Sequence, residues 1–480
     1  MAEMTAPVRD RLTLTAPTVF EPLEVCAGPK AVLEALAAQP YPAMLESSAL
    51  DSRYGRYSVL ACRPVEVIAL REGGLVDRAG RELPGATVLD ALRAALGRFR
   101  AEGPLPVPYG PGWIGYVGYE FGRYLERLPG QAVRDTSLPD LHLAFYDSVA
   151  VYDAIAERWT LTWLDGPQFS GEGREALRAM IHSAGGSDAG PVPVEQASAA
   201  AQAAVAAESN FTPERYRQAV ARCIEYIAAG DIFQVNLSQR LTIAEAPPPL
   251  AIYRALARRN PAWYSAMLLA DDWAVLSSSP ELFLRVRGRG VLTRPIKGTR
   301  PRIGQPPADA AAAAELLASQ KDNAELAMII DLLRNDLGRV CRFGSVRVQH
   351  RRELETHPTV FHLVGSVVGE LRESVGPAEL LAATFPGGSV TGAPKIRSME
   401  IIDELEGLAR GAYTGSIGYI GADGNAELNI VIRTVVWDRG RAHVQVGGGI
   451  VADSTPAGEY QETLDKARAL LEAIATAAGG

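Results

Sequence analysis

Residues 211–230, FTPERYRQAVARCIEYIAAG, run almost directly into IFQVNLSQRL at 232–241, and across that join the apolar spacing changes from a helical period to a strand period. Thr212 suits an N-cap, Pro213 the first helical position, and Gly230 a terminator. The stripe Tyr216, Val220, Cys223, Ile227 follows i, i+4, i+7, i+11 and predicts a helix buried on one side. The next segment alternates Phe233, Val235, Leu237 with Gln234, Asn236, Ser238, a strand whose polar face either meets water or lines a site. Upstream, YSVLACR (57–63), GWIGYVGYE (112–120) and HLAFYDSVAVYDA (142–154) also read as strands, with few strong helices between them. The expected class is α+β.

A chain of 480 residues exceeds one ordinary core and implies two domains or one large composite domain. The composition turns to Ala, Gly, Ser and Pro between 171 and 209, which reads as a linker or a loosely packed helix and divides the chain into 15–170, a linker at 171–209, and 210–475. Cys26, Cys62, Cys223 and Cys341 form no CxxC pair, so neither a zinc ribbon nor a disulfide framework is indicated, and a cytoplasmic setting is expected. The N-terminal stretch lacks the apolar core of a signal peptide, and no run is apolar enough for a membrane span. Net charge is −8 with cations dispersed, which argues against nucleic acid as a partner. An anionic ligand would need cations supplied locally.

Three patterns bear on chemistry. Asp322 and Glu325 stand three apart near one helix start, and Glu459 and Glu462 repeat that spacing just after Pro456. Each pair suits a helix dipole, and if the two starts converge the four carboxylates suit Mg²⁺. FPGGSVTGAPK (385–395), before a helix starting near Pro394, and VQVGGGIV (444–451) lack a nucleotide signature; each is a turn or a place where a ligand approaches the backbone. Finally, SSSPELFLRVRGRGVLTRPIKGTR (277–300) reads as two strands joined at Gly288–Gly290. Alternation puts Val291, Thr293, Pro295 and Lys297 on one face, with Arg294, Arg300 and Arg302 nearby. An apolar row and neighbouring cations would lower the lysine pKa toward nucleophile or base chemistry, and the hairpin register decides whether Glu281 meets Lys297.

These motifs together resemble the chorismate-utilising enzymes, through GDIFQVNLSQR (230–240), SSSPELF (277–283), PIKGTRPR (295–302), KDNAELAMIIDLLRNDLGRV (321–340), FPGGSVTGAPK, AYTGSIGY (412–419), IRT (432–434) and GGGIVADSTPAGEYQETLDKA (447–467). The first half fits through MLESSALDSRYGRYSVL (44–60) and GWIGYVGYEFGRYLERLP (112–129). The resemblance to this anthranilate synthase component I-like family implies an α+β fold of two β-sheets packed face to face with helices outside, and Mg²⁺-dependent chemistry on chorismate. It implies Glu325 and Glu462 as metal ligands with Asp322 and Glu459 beside them, and Glu281 as general acid with His362 near the leaving hydroxyl. It assigns Tyr413, Arg433, Lys466, Gly447, Gly448, Gly449, Ser389, Thr391 and Gln234 to the substrate.

Branches making isochorismate or salicylate carry a lysine where this chain has Gln234, and anthranilate synthases typically have alanine where it has Lys297. PIKGT is similar to the aminodeoxychorismate synthases, which implies Lys297 as a covalent nucleophile. No glutaminase domain is recognisable, so a glutamine amidotransferase subunit is the expected ammonia source. A tryptophan site in the first half is implied at Ser47, Tyr54, Gly55, Arg56 and Tyr57, with Trp263, Tyr264 and Ser265; simple core packing is the alternative.

Overall fold

A computed structural model of the protein describes residues 13–184, 206–357 and 360–479. Its described strands form one sheet of thirteen and one of eleven. The core between them draws Val59, Ala266 and Val275 from the first sheet and Ile114, Tyr116, Ala144, Ile417 and Tyr419 from the second. On the far side of the larger sheet, helices Pro249–Arg259 and Pro456–Gly479 bury Leu256, Leu470 and Ile474 against Leu241, Leu276 and Val444. Helix Gln320–Gly338 does the same outside the smaller sheet through Leu326, Ile329 and Leu333. This is the expected architecture of two packed sheets with helices outside.

Both sheets mix strands from the two sides of residues 171–209. Strand Ala43–Glu46 pairs with Tyr264–Leu269, and Gly112–Val117 pairs with Ser416–Gly421. The boundary segment itself needs correction. Glu172–Ser183 is a helix with Leu177, Met180 and Ile181 buried, and Ala207–Ser209 is a strand paired with Leu241–Ile243. Leu177, Met180 and Ile181 stand at i, i+3, i+4, a one-face pattern that an average over the Ala- and Gly-rich residues conceals. The rest of the expected linker, 185–205, lies outside the described residues.

Side-chain caps start two of the helices. Thr212 caps Pro213–Ala228 by accepting from the Arg215 amide, and Ser319 caps Gln320–Gly338 by accepting from Asp322. The hairpin also forms: Arg287 faces Gly290, and Gly288 takes φ +55° in the turn between them. Pro295 interrupts the second strand, and the chain resumes as Ile296–Pro301 with an irregularity between Lys297 and Thr299.

Candidate active site

The hairpin register answers the first question about Lys297. Leu282 pairs with Arg294, so Glu281 falls beside the interrupted segment and accepts from the backbone N–H of Ile296. Glu281 is 4% exposed, and burial pushes its carboxyl up to about 7. Ser389 Oγ donates to Glu281 Oε1 at 2.6 Å, and Lys297 Nζ donates to the backbone oxygen of Ser389 at 3.2 Å. The acid and the amine therefore meet at one residue of the loop FPGGSVTG.

Burial also lowers the Lys297 pKa, against the pull of the Glu325 and Glu281 carboxylates and with help from Lys466. The arginines do not play the part expected of them. Arg294 pairs with Glu355, Arg300 lies 2.9 Å from Glu315 and 3.3 Å from Asp322, and Arg302 is 3.6 Å from Asp309. Each is committed to a carboxylate, so the amine is tuned by desolvation instead.

The glycine run of strand Arg441–Ile450 passes directly beneath this group. A Cβ built on Gly449 would stand 2.1 Å from Gln234 Nε2 and 3.6 Å from Lys297 Nζ. One on Gly448 would stand 2.9 Å from Glu459 Oε2 and 3.5 Å from Glu462 Oε1. Lys466 donates to the Gly447 carbonyl at 2.8 Å and pairs with Glu462 at 2.6 Å. Glycine is required here for close approach, since any side chain would fill the space between Lys297 and the acidic helix.

The two helix starts do converge. Glu325 is raised by burial and by the charges of Asp322 and Glu462, although Lys297 and Lys321 oppose this. Glu459 is raised by burial and by Glu462, while Ser454 Oγ donates to it at 2.6 Å. For Glu462 burial acts upward, but Lys466 overrides it and the carboxyl ends below its usual range. Among the described residues no three acidic, His or Cys side chains close on a common point as metal ligands do. The donor set is nonetheless all oxygen and mutually repelling, with Gly448 leaving room beside Glu459 and Glu462, and it fits a hard cation such as Mg²⁺.

His362 and Arg433 complete the group. His362 Nδ1 lies 2.9 Å from Thr299 Oγ1, and burial, with His357 and Arg433 nearby, brings its pKa down to about 3, so the ring is neutral. Arg433 takes φ +53° and donates to the Lys466 carbonyl at 3.2 Å, within the field of Tyr413 and Glu462. Thr391 lies buried behind the site, donating to the Gly387 carbonyl at 2.7 Å. Gln234 sets its Nε2 against Gly449, and its Oε1 is buried without a protein partner among the described residues.

The residues considered for tryptophan gather elsewhere. Ser47 Oγ donates to the Trp263 carbonyl at 2.9 Å, Tyr54 stacks on Trp263 at 5.5 Å, and Gly55 packs against that indole. Ser47, Tyr57, Trp263, Tyr264 and Ser265 line a cavity of about 40 Å³, room for one or two waters. Arg56 turns away to pair with Asp153 at 2.6 Å. From Trp263 an aromatic column continues through His357 at 4.4 Å to His362, a further 5.0 Å on.

Sequence reasoning missed Arg410. Its guanidinium, buried with Glu406, donates to the carbonyls of Asn236 and Val390 and to Thr414 Oγ1, between the rings of Tyr119 and Tyr413. Glu120 accepts from the amides of Arg410 and Gly411 at 2.8 Å each, so the first half of the chain anchors the loop that carries Tyr413. One arginine in GLARGAYTG carries no signal of this until its partners, distant in sequence, are known.

Residues 46–472 match the family model for chorismate binding enzymes, and the chain belongs to that family. It is 41% identical to anthranilate synthase component 1 of Thermus thermophilus over 451 residues, 93% of this chain and 95% of that one. It is 38% identical to aminodeoxychorismate synthase component 1 of Klebsiella aerogenes over 449 residues, 92% of this chain and 95% of that one. The crystal structure of anthranilate synthase component I from Streptococcus pneumoniae superposes with a TM-score of 0.75 at 33% identity, covering 88% of this chain and 93% of that one. No described helix is long and apolar enough to cross a membrane.

Proposed function

We propose that the chain aminates chorismate at C4, as an aminodeoxychorismate synthase component 1, with Lys297 as covalent nucleophile. The observation that carries this reading is the placement of Lys297: a buried amine of lowered pKa beside a buried carboxyl raised to about 7. Such a pair sets an amine less basic than usual beside a carboxyl raised to about 7, the combination that nucleophilic attack and protonation of a leaving group call for. Glu281 gives its proton to the departing 4-hydroxyl, which leaves as water, while Lys297 Nζ forms a bond to C2 and both ring double bonds shift by one position. Ammonia then bonds to C4, both double bonds return, and Lys297 leaves C2 as the free amine. The surplus proton on the new ammonium restores Glu281. Arg433, Tyr413, Lys466 and the glycine-strand amides hold the substrate carboxylates, and His362 supports the hydroxyl end. Mg²⁺ held by Glu325 and Glu462, with Asp322 and Glu459 beside them, would supply charge neutralisation and orientation.

Ammonia comes from a separate glutamine amidotransferase subunit under this reading, and the product feeds 4-aminobenzoate and folate synthesis in the cytoplasm. The pocket at Ser47 and Trp263 is the candidate tryptophan site, which must widen from its 40 Å³ to admit an indole. The second reading, anthranilate synthase, is favoured by the 41% identity to the Thermus thermophilus enzyme. Incubation with chorismate, Mg²⁺ and ammonium salt separates them: aminodeoxychorismate without anthranilate fluorescence is expected, and anthranilate as the main product overturns the proposal.

A further inference from the structure

We propose that Ser389 is a positioning residue that sets the general acid against the nucleophile, fixing Glu281 with its hydroxyl and the Lys297 amine with its carbonyl. The inference rests on the amination reading above. Its two contacts are the 2.6 Å bond from Ser389 Oγ to Glu281 Oε1 and the 3.2 Å bond from Lys297 Nζ to Ser389 O.

Why the chain can place a serine there follows from the glycines before it. A Cβ on Gly387 would stand 2.5 Å from Ile430 Cδ1, and one on Gly388 2.4 Å from Leu332 Cδ2. With no side chains at Gly387 and Gly388, the turn Gly388–Val390 sits against Ile430, just past strand Ala426–Asn429, and against the helix carrying Leu332. Thr391 then locks the turn, donating to the Gly387 carbonyl at 2.7 Å and accepting from the Asn236 amide at 2.8 Å. Ser389 is 8% exposed and cannot swing out without breaking these contacts.

Two chemical consequences follow. In a carboxylic acid the carbonyl oxygen is the better acceptor, so the Ser389 donor on Oε1 favours the carbonyl there and the proton on Oε2, the oxygen that serves the departing hydroxyl. The N–H that Lys297 gives to the Ser389 carbonyl fixes where the amine sits relative to Glu281. Ser389 itself gains and loses nothing in the reaction.

The test is a cycle of variants read by the rate of chorismate amination, whichever aminated product forms. Ser389→Ala removes the hydroxyl and keeps the carbonyl. It is expected to lower kcat about 10- to 100-fold, at or below the lower end of the range for losing a general acid, with the KM for chorismate within about twofold. Ser389→Thr restores most of the rate. In Glu281→Gln, where no acid remains to be oriented, adding Ser389→Ala lowers kcat by less than about threefold. Should Ser389→Ala lose its fold, Ser389→Cys keeps the size, weakens the donor, and carries the same cycle. A raised KM with unchanged kcat, or the full loss repeated in the Glu281→Gln background, overturns the proposal. Anthranilate as the product would count against the proposed function while leaving the Ser389 result readable.

Discussion

Replacing Glu281 by Gln should stabilise the protein at alkaline pH while lowering kcat about 100- to 10,000-fold to a residual, measurable rate. Burial moves this carboxyl from an ordinary 4.5 to about 7. A group raised on folding gives its full stability below the unfolded pKa and loses it as pH climbs toward the folded value. The difference of about 2.5 units therefore costs the parent about 3 kcal/mol above pH 7, accrued between about pH 4.5 and 7. Gln does not titrate, and its amide oxygen still accepts from Ser389 Oγ in place of Glu281 Oε1. Allowing for relaxation around the site, we expect a gain of about 1–3 kcal/mol for Glu281→Gln at pH 8 and none near pH 4.5. Urea unfolding of parent and variant at several pH values and one ionic strength measures this. In the parent, kcat/KM for chorismate should fall about tenfold per unit above pH 7 once ammonia is held at constant free-base concentration. A variant no more stable than the parent at pH 8, or a stability difference that does not change with pH, refutes the buried neutral acid.

Mg²⁺ at about 100 times its dissociation constant should stabilise the parent by about 2.7 kcal/mol, seen as a rise in melting temperature that Glu325→Gln abolishes. An equal response from both proteins removes Glu325 from the metal site. Arg410→Met leaves Glu406 buried and uncompensated, which should cost about 3–5 kcal/mol and lower the affinity for chorismate through Tyr413; an unchanged denaturation midpoint would contradict that.

Much of the fold was legible locally because its signals are local. The cap Thr212, the hairpin turn at Gly288 and the period-2 run from Gln234 depend on residues a few positions apart. The candidate site residues came from motif order, which says nothing of their arrangement. Whether the starts of helices Gln320–Gly338 and Pro456–Gly479 converge depends on how separate elements pack around strand Arg441–Ile450. The arginines around Lys297 misled because their carboxylate partners lie as far off as Glu355 and are invisible to spacing. Leu177, Met180 and Ile181 were missed for the opposite reason, a short helical stripe averaged into a low-complexity stretch.

The central claim is the covalent role of Lys297, and intact-mass analysis during turnover tests it most directly. With chorismate and Mg²⁺ but no ammonia, the parent should gain the mass of chorismate less one water. Added ammonium should discharge that adduct to aminodeoxychorismate, and Lys297→Ala should show neither adduct nor product. A Lys297→Ala protein that makes aminodeoxychorismate at the parent rate, with no adduct on the parent, contradicts the account.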